Sequence, residues 1–237
     1  MNALRISGTA ALVSMLIAFA QPSFAIEPSG NQVADAFLTA IEPKDNGTLT
    51  YGDVSTSGST VTITDIKVDY TSESGSGTAL LGRTAIANGT VEAGVLTADS
   101  LSIEDVKMDE KDQKTNLSID SVVVNEPEIP TEKDAAGSDE PTASLADYKD
   151  AELTNLGFTD ENGQELPVGR VLMAVTKRID GDPRGGTIEV DNAVMAVDTI
   201  EDEDTRKRLT DLGYSEIVVD VVAEGDWNSD DGTATLD

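Results

Sequence analysis

An eight-residue pattern of apolar positions recurs five times along the chain. Its first, third, sixth and eighth positions are apolar, and its fifth is Asp, Asn or Ser. The copies are Val61–Val68, Leu101–Met108, Leu117–Val124, Ala151–Phe158 and Ile188–Met195. Apolar residues two apart are typical of a half-buried strand, and the three-residue step in the middle interrupts that period. An extra residue at a β-bulge explains the interruption, because it keeps both halves of the strand facing one core.

The fifth position of the pattern predicts an unusual backbone conformation. Asp, Asn and Ser form local hydrogen bonds with the backbone, and Asp and Asn tolerate positive φ angles. We therefore expect the chain to depart from regular strand geometry at these residues, which are Asp65, Asp105, Ser121, Asn155 and Asn192.

Two short helices accompany the strands. Asn31 can cap a helix whose apolar face includes Phe37 and Ile41, and Asp202 or Asp204 can cap a second helix that ends at Gly213. The repeats begin 40, 16, 34 and 37 residues apart, and this irregular spacing argues against a solenoid. We predict an α+β fold, with a predominantly antiparallel sheet of recurring bulged strands and two short helices. The chain stops just after a predicted strand, so we also expect it to be a shortened chain.

The chain is expected to comprise four parts. Residues 1–25 form a signal peptide, 26–124 a β-rich first half with the N-terminal helix, and 148–237 a β-rich second half with one helix. Between the halves, residues 125–147 are acidic, contain three prolines and show no apolar period. This segment is a linker between domains or a long loop inserted within one sheet.

The N-terminus is typical of a secretory signal peptide. Arg5 supplies the positive charge, residues 10–20 form a short apolar core, and Ser23 and Ala25 give a small-x-small cleavage site after Ala25. The apolar core is well short of the ~20 residues needed to span a bilayer. We therefore predict a cleaved periplasmic or secreted protein with no membrane span.

Charge and composition exclude several functions. Cleavage removes one of 16 basic residues and none of 45 acidic ones, so the mature chain has a net charge of 15 − 45 = −30. Such a charge opposes binding to nucleic acid. The absence of His and Cys excludes disulfides, Ser-His-Asp and Cys-His catalysis, and ordinary zinc sites. Only a carboxylate pair remains as catalytic machinery, so we predict a non-catalytic protein without a cofactor, with a carboxylate-dependent hydrolase as an alternative.

Calcium is the one metal that the sequence suggests. Asp226, Asn228, Asp230 and Asp237 occupy positions 1, 3, 5 and 12 of a loop that resembles an EF-hand. Position 6 is Asp231 rather than Gly, and the flanking segments are strands. The same composition is typical of a hairpin turn. A calcium-stabilised secreted acidic module is therefore an alternative to a simple turn.

Two stretches carry a family resemblance. The N-terminal helix followed by residues 48–68, together with residues 209–237, resembles exported alphaproteobacterial proteins in which a Leu-Gly-Tyr helix end leads into strands. The repeated unit is loosely similar to strands of AsmA-like envelope proteins. The resemblance implies a role in lipid handling and further strands after Asp237, and it implies no specific functional residues.

These observations favour an exported envelope protein that binds a hydrophobic ligand or an envelope protein on its sheet. Solvent-exposed side chains at Val61, Ile63, Ile66 and Val68 would support this hypothesis. Packing of the same face against the helices is the alternative.

Overall fold

The predicted fold class is confirmed: the protein is mostly antiparallel β-sheet with two short helices. The computed structural model describes residues 27–43, 47–72, 75–111, 115–131, 147–159, 163–179, 182–200, 202–228 and 233–236. The predicted signal peptide lies outside the described residues. The elements are α1 (Gln32–Ile41), β1 (Thr48–Thr50), β2 (Val54–Ser57), β3 (Thr60–Ser72), β4 (Gly75–Ala87), β5 (Thr90–Glu92), β6 (Val95–Thr97), β7 (Ser100–Glu110), β8 (Thr115–Asn125), β9 (Glu128–Pro130), β10 (Asp150–Thr159), β11 (Glu165–Ile179), β12 (Asp182–Ala196), α2 (Glu203–Asp211), β13 (Glu216–Asn228) and β14 (Thr233–Leu236).

One long sheet contains most of the strands. Its order is β1-β3-β4-β7-β8-β10-β11-β12-β13-β14, with β2 also paired to β3. A second sheet contains β5, β6 and β9. Strand β8 pairs directly with β10, so the long sheet continues across the segment 125–147. That segment also contributes β9, whose Ile129 is buried, and residues 132–146 lie outside the described residues.

Both predicted helices form where their capping residues indicate. The Asn31 side chain accepts hydrogen bonds from the backbone N–H groups of Val33 and Ala34 at 3.0 and 3.1 Å. The apolar face of α1 is buried, with Phe37 and Leu38 almost inaccessible. Helix α2 is capped by Asp202, which accepts from the Thr205 N–H at 2.7 Å, and it buries no residue. Helix α1 is therefore a core element, whereas α2 is a surface helix.

The recurring pattern aligns in four apolar rows across eight strands of the long sheet. The strands β3, β4, β7, β8, β10, β11, β12 and β13 each contribute one residue to each row, and the one polar member is the buried Thr84 of β4. One row begins at Val61 and passes through Leu101 and Ala151, and another begins at Ile66 and passes through Val106 and Leu156. All four rows lie on one face, and most of their members from β3 to β11 join α1 and the small sheet in a single core. The five repeats thus lie in one continuous surface, with β4 between the first two repeats and β11 between the last two.

A polar row separates the second and third apolar rows. Four of the predicted residues, Asp65, Asp105, Asn155 and Asn192, have φ between 52° and 56°, so the predicted unusual backbone is confirmed there. Between them lie residues of the alternate strands: Gly82 is opposite Asp65 and Asp105, and Asp120 is opposite Asp105 and Asn155. We call this the interruption row; its members are Asp65, Gly82, Asp105, Asp120, Asn155, Gly169 and Asn192.

An inserted residue does not cause the interruption in most of these strands. Pairs on both sides of it keep one register, as Thr64–Arg83 and Ile66–Leu81 show. In both strands of a pair, the step of three residues between apolar positions occurs at the same level, so neither strand needs an extra residue. The prediction is wrong at Ser121, which lacks a positive φ. Strand β8 runs antiparallel to β7 and places Asp120 in the interruption row, and Asp120 lacks a positive φ as well.

A true bulge occurs only next to β13 at this level. The register shifts between Val190 and Ala193 where β12 pairs with β13. Strand β13 has no interruption, so its side chains point alternately to the two faces of the sheet from Ile217 to Ala223. Strand β12 contains the interruption, so Asp191 and Asn192 together lie opposite Asp220. The Asp220 carboxylate accepts a hydrogen bond from the Asn192 N–H at 2.8 Å. The bulge thus marks the end of the regular repeat.

Candidate functional site: the open face of the last strands

The apolar rows are buried at one end of the long sheet and exposed at the other. Val61, Ile63, Ile66 and Val68 on β3 are 6%, 0%, 0% and 2% exposed. The expectation that a ligand surface would be open at these four residues is therefore wrong, because they pack in the core with α1. On β12 and β13 the same rows lie at the surface, with Met195 39% and Val219 36% exposed.

We call the exposed apolar surface of β12 and β13 the open face. It is formed by four residues of β12 and the four residues opposite them on β13, most of them half-buried. Within the part of the chain that the structure describes, neither α1 nor the small sheet has a substantial contact with these two strands. The open face comprises Ile188, Val190, Ala193, Met195, Ile217, Val219, Val221 and Ala223.

The open face widens at the end of β11 because β11 and β12 separate there. Their ladder ends at the pair Val168–Ala193, although β12 continues to Ala196 against β13. The residue of β11 that precedes Val168 is Pro167, which has no N–H to donate to a ladder. Phe158, in the same row as Met195, is 37% exposed at this point. Phe158 lines a depression at the ends of the central strands, together with Leu117 and Pro167.

The opposite face of these strands is largely polar. Arg170 on β11 bonds to Asp191 at 2.9 Å and to Glu152 at 3.2 Å, and it lies 3.6 Å from Glu189. The hydrogen bonds that Arg170 donates to Asp191 and Glu152 raise the pKa of its guanidinium group. The outer face thus combines this charge cluster with the exposed side chains of Val218 and Val222 on β13.

A shallow depression of about 590 Å³ lies at the ends of the central strands. Leu80, Lys107, Ser118 and Pro167 contribute to its lining, and Gly157 lowers its floor by having no side chain. A Cβ at Gly157 would lie 2.9 Å from the Ser118 hydroxyl oxygen. The lining mixes lysine, acidic and apolar residues, so its charge alone selects no ligand.

The candidate calcium residues lie only partly among the described residues, because Asp230 and Asp237 fall outside them. Asp226 lies on β13, and its carboxylate pairs with Lys177 at 3.0 Å. Asn228 ends β13 in the pair with Thr233, and Asp230 lies outside the described residues. Within the described ranges no group of three or more carboxylates is placed to hold a metal ion. The calcium loop stays a prediction.

The carboxyl groups of Asp69 and Asp202 have pKa values below their usual range. A hydrogen bond from Lys67, followed by one from Thr78, lowers the pKa of Asp69. Hydrogen bonds from Thr205 lower the pKa of Asp202 at the start of α2. A general acid needs a raised pKa, so neither group is suited to that role.

The sequence pattern does not identify β4 and β11 as strands that carry the interruption, and it does not reveal the exposure of β13. In β4 and β11 the fourth position is glycine and the fifth is arginine, Arg83 and Arg170. In β4 the sixth position is Thr84 instead of an apolar residue. The strand near Val219 was predicted, but its exposure depends on where α1 and the small sheet pack, which no local pattern reveals.

Comparisons with protein-family models, with curated proteins and with solved structures gave no match. Among the helices of the described ranges, none combines the length and apolar character needed to cross a bilayer.

Proposed function

We propose that this chain is a non-catalytic, exported envelope protein that binds a hydrophobic ligand, such as a lipid acyl chain, on its open face. Export rests on the signal peptide predicted for residues 1–25 and binding rests on the open face. A soluble protein seldom leaves a contiguous apolar patch uncovered unless something binds there.

One observation carries the proposal: the same apolar rows are covered on β3 and uncovered on β13. Ile66 is 0% exposed, and Val219 in the same row is 36% exposed. If the rows served only to pack the core, their outer members on an uncovered strand would gain nothing from being Val, Ile and Met. A bound apolar chain would bury them and gain about 25 cal/mol for each Å² removed from water.

The shape of the open face suits an extended chain. From Ile188 to Met195 the four positions on β12 span seven residue steps, or roughly 23 Å at the rise of a strand. Met195 is a flexible side chain that adapts to ligands of varied shape. The net charge of −29 disfavours an anionic headgroup, so we expect a neutral or zwitterionic lipid.

Native mass spectrometry of the mature protein, purified with and without delipidation, tests the proposal. We expect a lipid-sized adduct that delipidation removes, and binding of the neutral probe N-phenyl-1-naphthylamine by the stripped protein. A bare mass together with no probe binding would refute the proposal.

Matched variants locate the ligand. Met195→Asn with Val219→Asn places two amides on the open face, and Val218→Asn with Val222→Asn places two on the opposite face of β13. We expect the first pair to abolish adduct and probe binding, and the second pair to retain both. Val218 and Val222 are 59% and 71% exposed, so equal losses in both pairs would show that general surface hydrophobicity, not the open face, binds the ligand.

A further inference from the structure

The depression at the ends of the central strands lies on the outer face of the long sheet, which is the face opposite the apolar rows. On β4 it is lined by Thr78 and Leu80, and between them Ala79 is buried in the core. Because the side chains of a strand alternate between the two faces, Thr78 and Leu80 point away from the core. On β7, β8, β10 and β11 the depression likewise takes two alternate residues from each strand. It is therefore separate from the open face.

One row of outer-face residues crosses the floor of the depression. Cross-strand pairs connect its members in the order Leu80, Lys107, Ser118, Gly157 and Pro167. The row spans four strand spacings, or roughly 19 Å. Gly157 leaves the main chain bare near the middle, and the Ser118 hydroxyl oxygen would lie 2.9 Å from a Cβ at that position. Leu80, which is 41% exposed, and Pro167 provide apolar surface at the two ends.

A second row, nearer the strand ends, carries groups that form hydrogen bonds. It includes Asp109, Asn116, Thr159 and Glu165. None of these four side chains has a hydrogen bond or an ion pair with another described residue. The row thus presents two carboxylates, an amide and a hydroxyl group that are available to a ligand.

Lys107 is also without an ion pair, although the chain has 45 acidic and only 16 basic residues. On the neighbouring strands β3 and β4, Lys67 and Arg83 each pair with a carboxylate. Lys107 forms no ion pair within the described part of the chain, even though Asp109 lies two positions away on the same face of β7. Its ammonium group therefore keeps its three hydrogen-bond donors for a ligand.

We propose that the depression binds a neutral oligosaccharide that lies along the two rows. The hydroxyl groups of a sugar both donate and accept hydrogen bonds. One ligand can therefore donate to the carboxylates of Asp109 and Glu165 and accept from the ammonium group of Lys107. The apolar C–H groups of its rings pack on Leu80 and Pro167. The volume of about 590 Å³ leaves room for more than one sugar ring.

The charges of the lining disfavour other classes of ligand. An anion would face two carboxylates in a chain of net charge −29, and like charges repel. A cation would face the ammonium group of Lys107 on the floor. An apolar ligand would remove these ions from water without supplying hydrogen-bond partners, which is costly. A neutral ligand rich in hydroxyl groups avoids each of these costs.

Titration of the isotope-labelled mature protein with tetrasaccharides at millimolar concentration, followed by amide chemical shifts, tests the proposal. The neutral probes are cellotetraose, maltotetraose, mannotetraose and N-acetylated chitotetraose, and the anionic probe is tetragalacturonic acid. We expect at least one neutral probe to shift the amides around Ser118 and Gly157. We expect the anionic probe to bind at least about tenfold more weakly than that neutral probe.

Matched variants locate the ligand. Lys107→Met with Asn116→Ala removes an ammonium group and an amide from two exposed positions of the depression, and should weaken binding of the best neutral probe at least about tenfold. The control, Lys149→Met with Ser102→Ala, changes the net charge equally near the opposite ends of β10 and β7. It should bind the same probe as the wild type does, and far-UV circular dichroism verifies that both variants are folded.

Three results would overturn the proposal. A lack of shifts at these amides with all four neutral probes would show that the depression does not bind sugars. Equal losses in the two folded variants would place the sugar elsewhere on the protein. Tighter binding of tetragalacturonic acid than of every neutral probe would show that Lys107 selects an anion.

Discussion

The interruption row leads to a prediction that reverses the usual preferences of a strand. Asp105 and Lys107 are both exposed residues of β7, two positions apart. Asp105 has a φ of 55°, whereas Lys107 has no positive φ. Replacing each of the two residues with Val and with Gly therefore separates the effect of backbone conformation from the effects of burial and strand context.

The magnitudes follow from the left-handed conformation. A residue with a Cβ loses roughly 1–2 kcal/mol in this region, and Asp lowers that cost by local hydrogen bonding. Asp105→Val should thus destabilise by about 2 kcal/mol, since branching adds to the strain. Asp105→Gly should stay within about 0.5 kcal/mol of wild type, because relief of strain offsets the entropy of glycine. At Lys107 the order reverses: Gly costs about 0.5–1 kcal/mol and Val is neutral or stabilising.

Urea unfolding followed by far-UV circular dichroism measures these free energies, provided that the slopes of the five curves, for the wild type and the four variants, agree. The expected quantity is the difference between the Val and Gly variants, which should change sign from site 105 to site 107. Should Val exceed Gly in stability at both sites, the left-handed residue would carry no strain and our account of the row would fail.

The remaining predictions concern packing, capping, titration and the ligand. Gly77→Ala should destabilise by about 1–3 kcal/mol in urea unfolding, because its Cβ would clash with the Tyr70 hydroxyl oxygen. Gly58→Ala, where no atom lies within 4 Å, measures the cost of a positive φ alone. Asn31→Ala should lower the free energy of unfolding by about 0.5–2 kcal/mol by loss of the α1 cap, and Asn31→Asp should retain most of the stability that the cap provides. Burial raises the pKa of Tyr70 to about 12, so the folded protein keeps this proton to higher pH than the unfolded chain does. The free energy of unfolding should therefore fall between about pH 10 and 12. The stability of the Tyr70→Phe variant should fall less steeply over that range. For a series of neutral alkyl ligands, each added methylene should tighten binding by up to about fourfold until the open face is filled, as measured by displacement of the fluorescent probe; an affinity independent of chain length would contradict apolar binding.

Much of the fold was accessible from sequence because local chemistry determines it. Asn31 and Asp202 have the side chains that cap helices, and both helices begin directly after them. The Asp and Asn residues at the fifth repeat position adopt positive φ in four of five copies. Each of these predictions depends on a residue and its near neighbours in sequence.

Features that depend on partner strands were not accessible. Asn88-Gly89 has the composition of a hairpin turn, yet β4 pairs with β7, and the chain turns at Asn88 towards the small sheet. The hairpin that follows uses Ala93 and Gly94, both with positive φ. A Cβ at Gly89 would lie 2.7 Å from a Val33 side-chain carbon on α1, so this glycine permits close packing of the helix. Tertiary contact, rather than turn preference, explains its presence.

The position of the open face has the same origin. Val190 and Leu153 occupy equivalent positions of the repeat, but Leu153 is 0% exposed and Val190 is only half-buried. Their sequences do not distinguish them, because the difference comes from the distance of each strand from α1 and the small sheet. Sequence analysis could therefore predict an apolar face and not which part of it is uncovered.

Strand β13 explains why the sheet changes character at this end. The seven strands from β3 to β12 in the long sheet share the interruption, so each fits its neighbour without a bulge, and an added strand of that kind would need a matching break. Because β13 alternates strictly, β12 must bulge to pair with it. A further strand beyond β13 would meet a regular partner and would need no left-handed residue. Strand β13 is thus matched to regular extended strands, whereas the interior of the sheet accepts only strands of its own repeat.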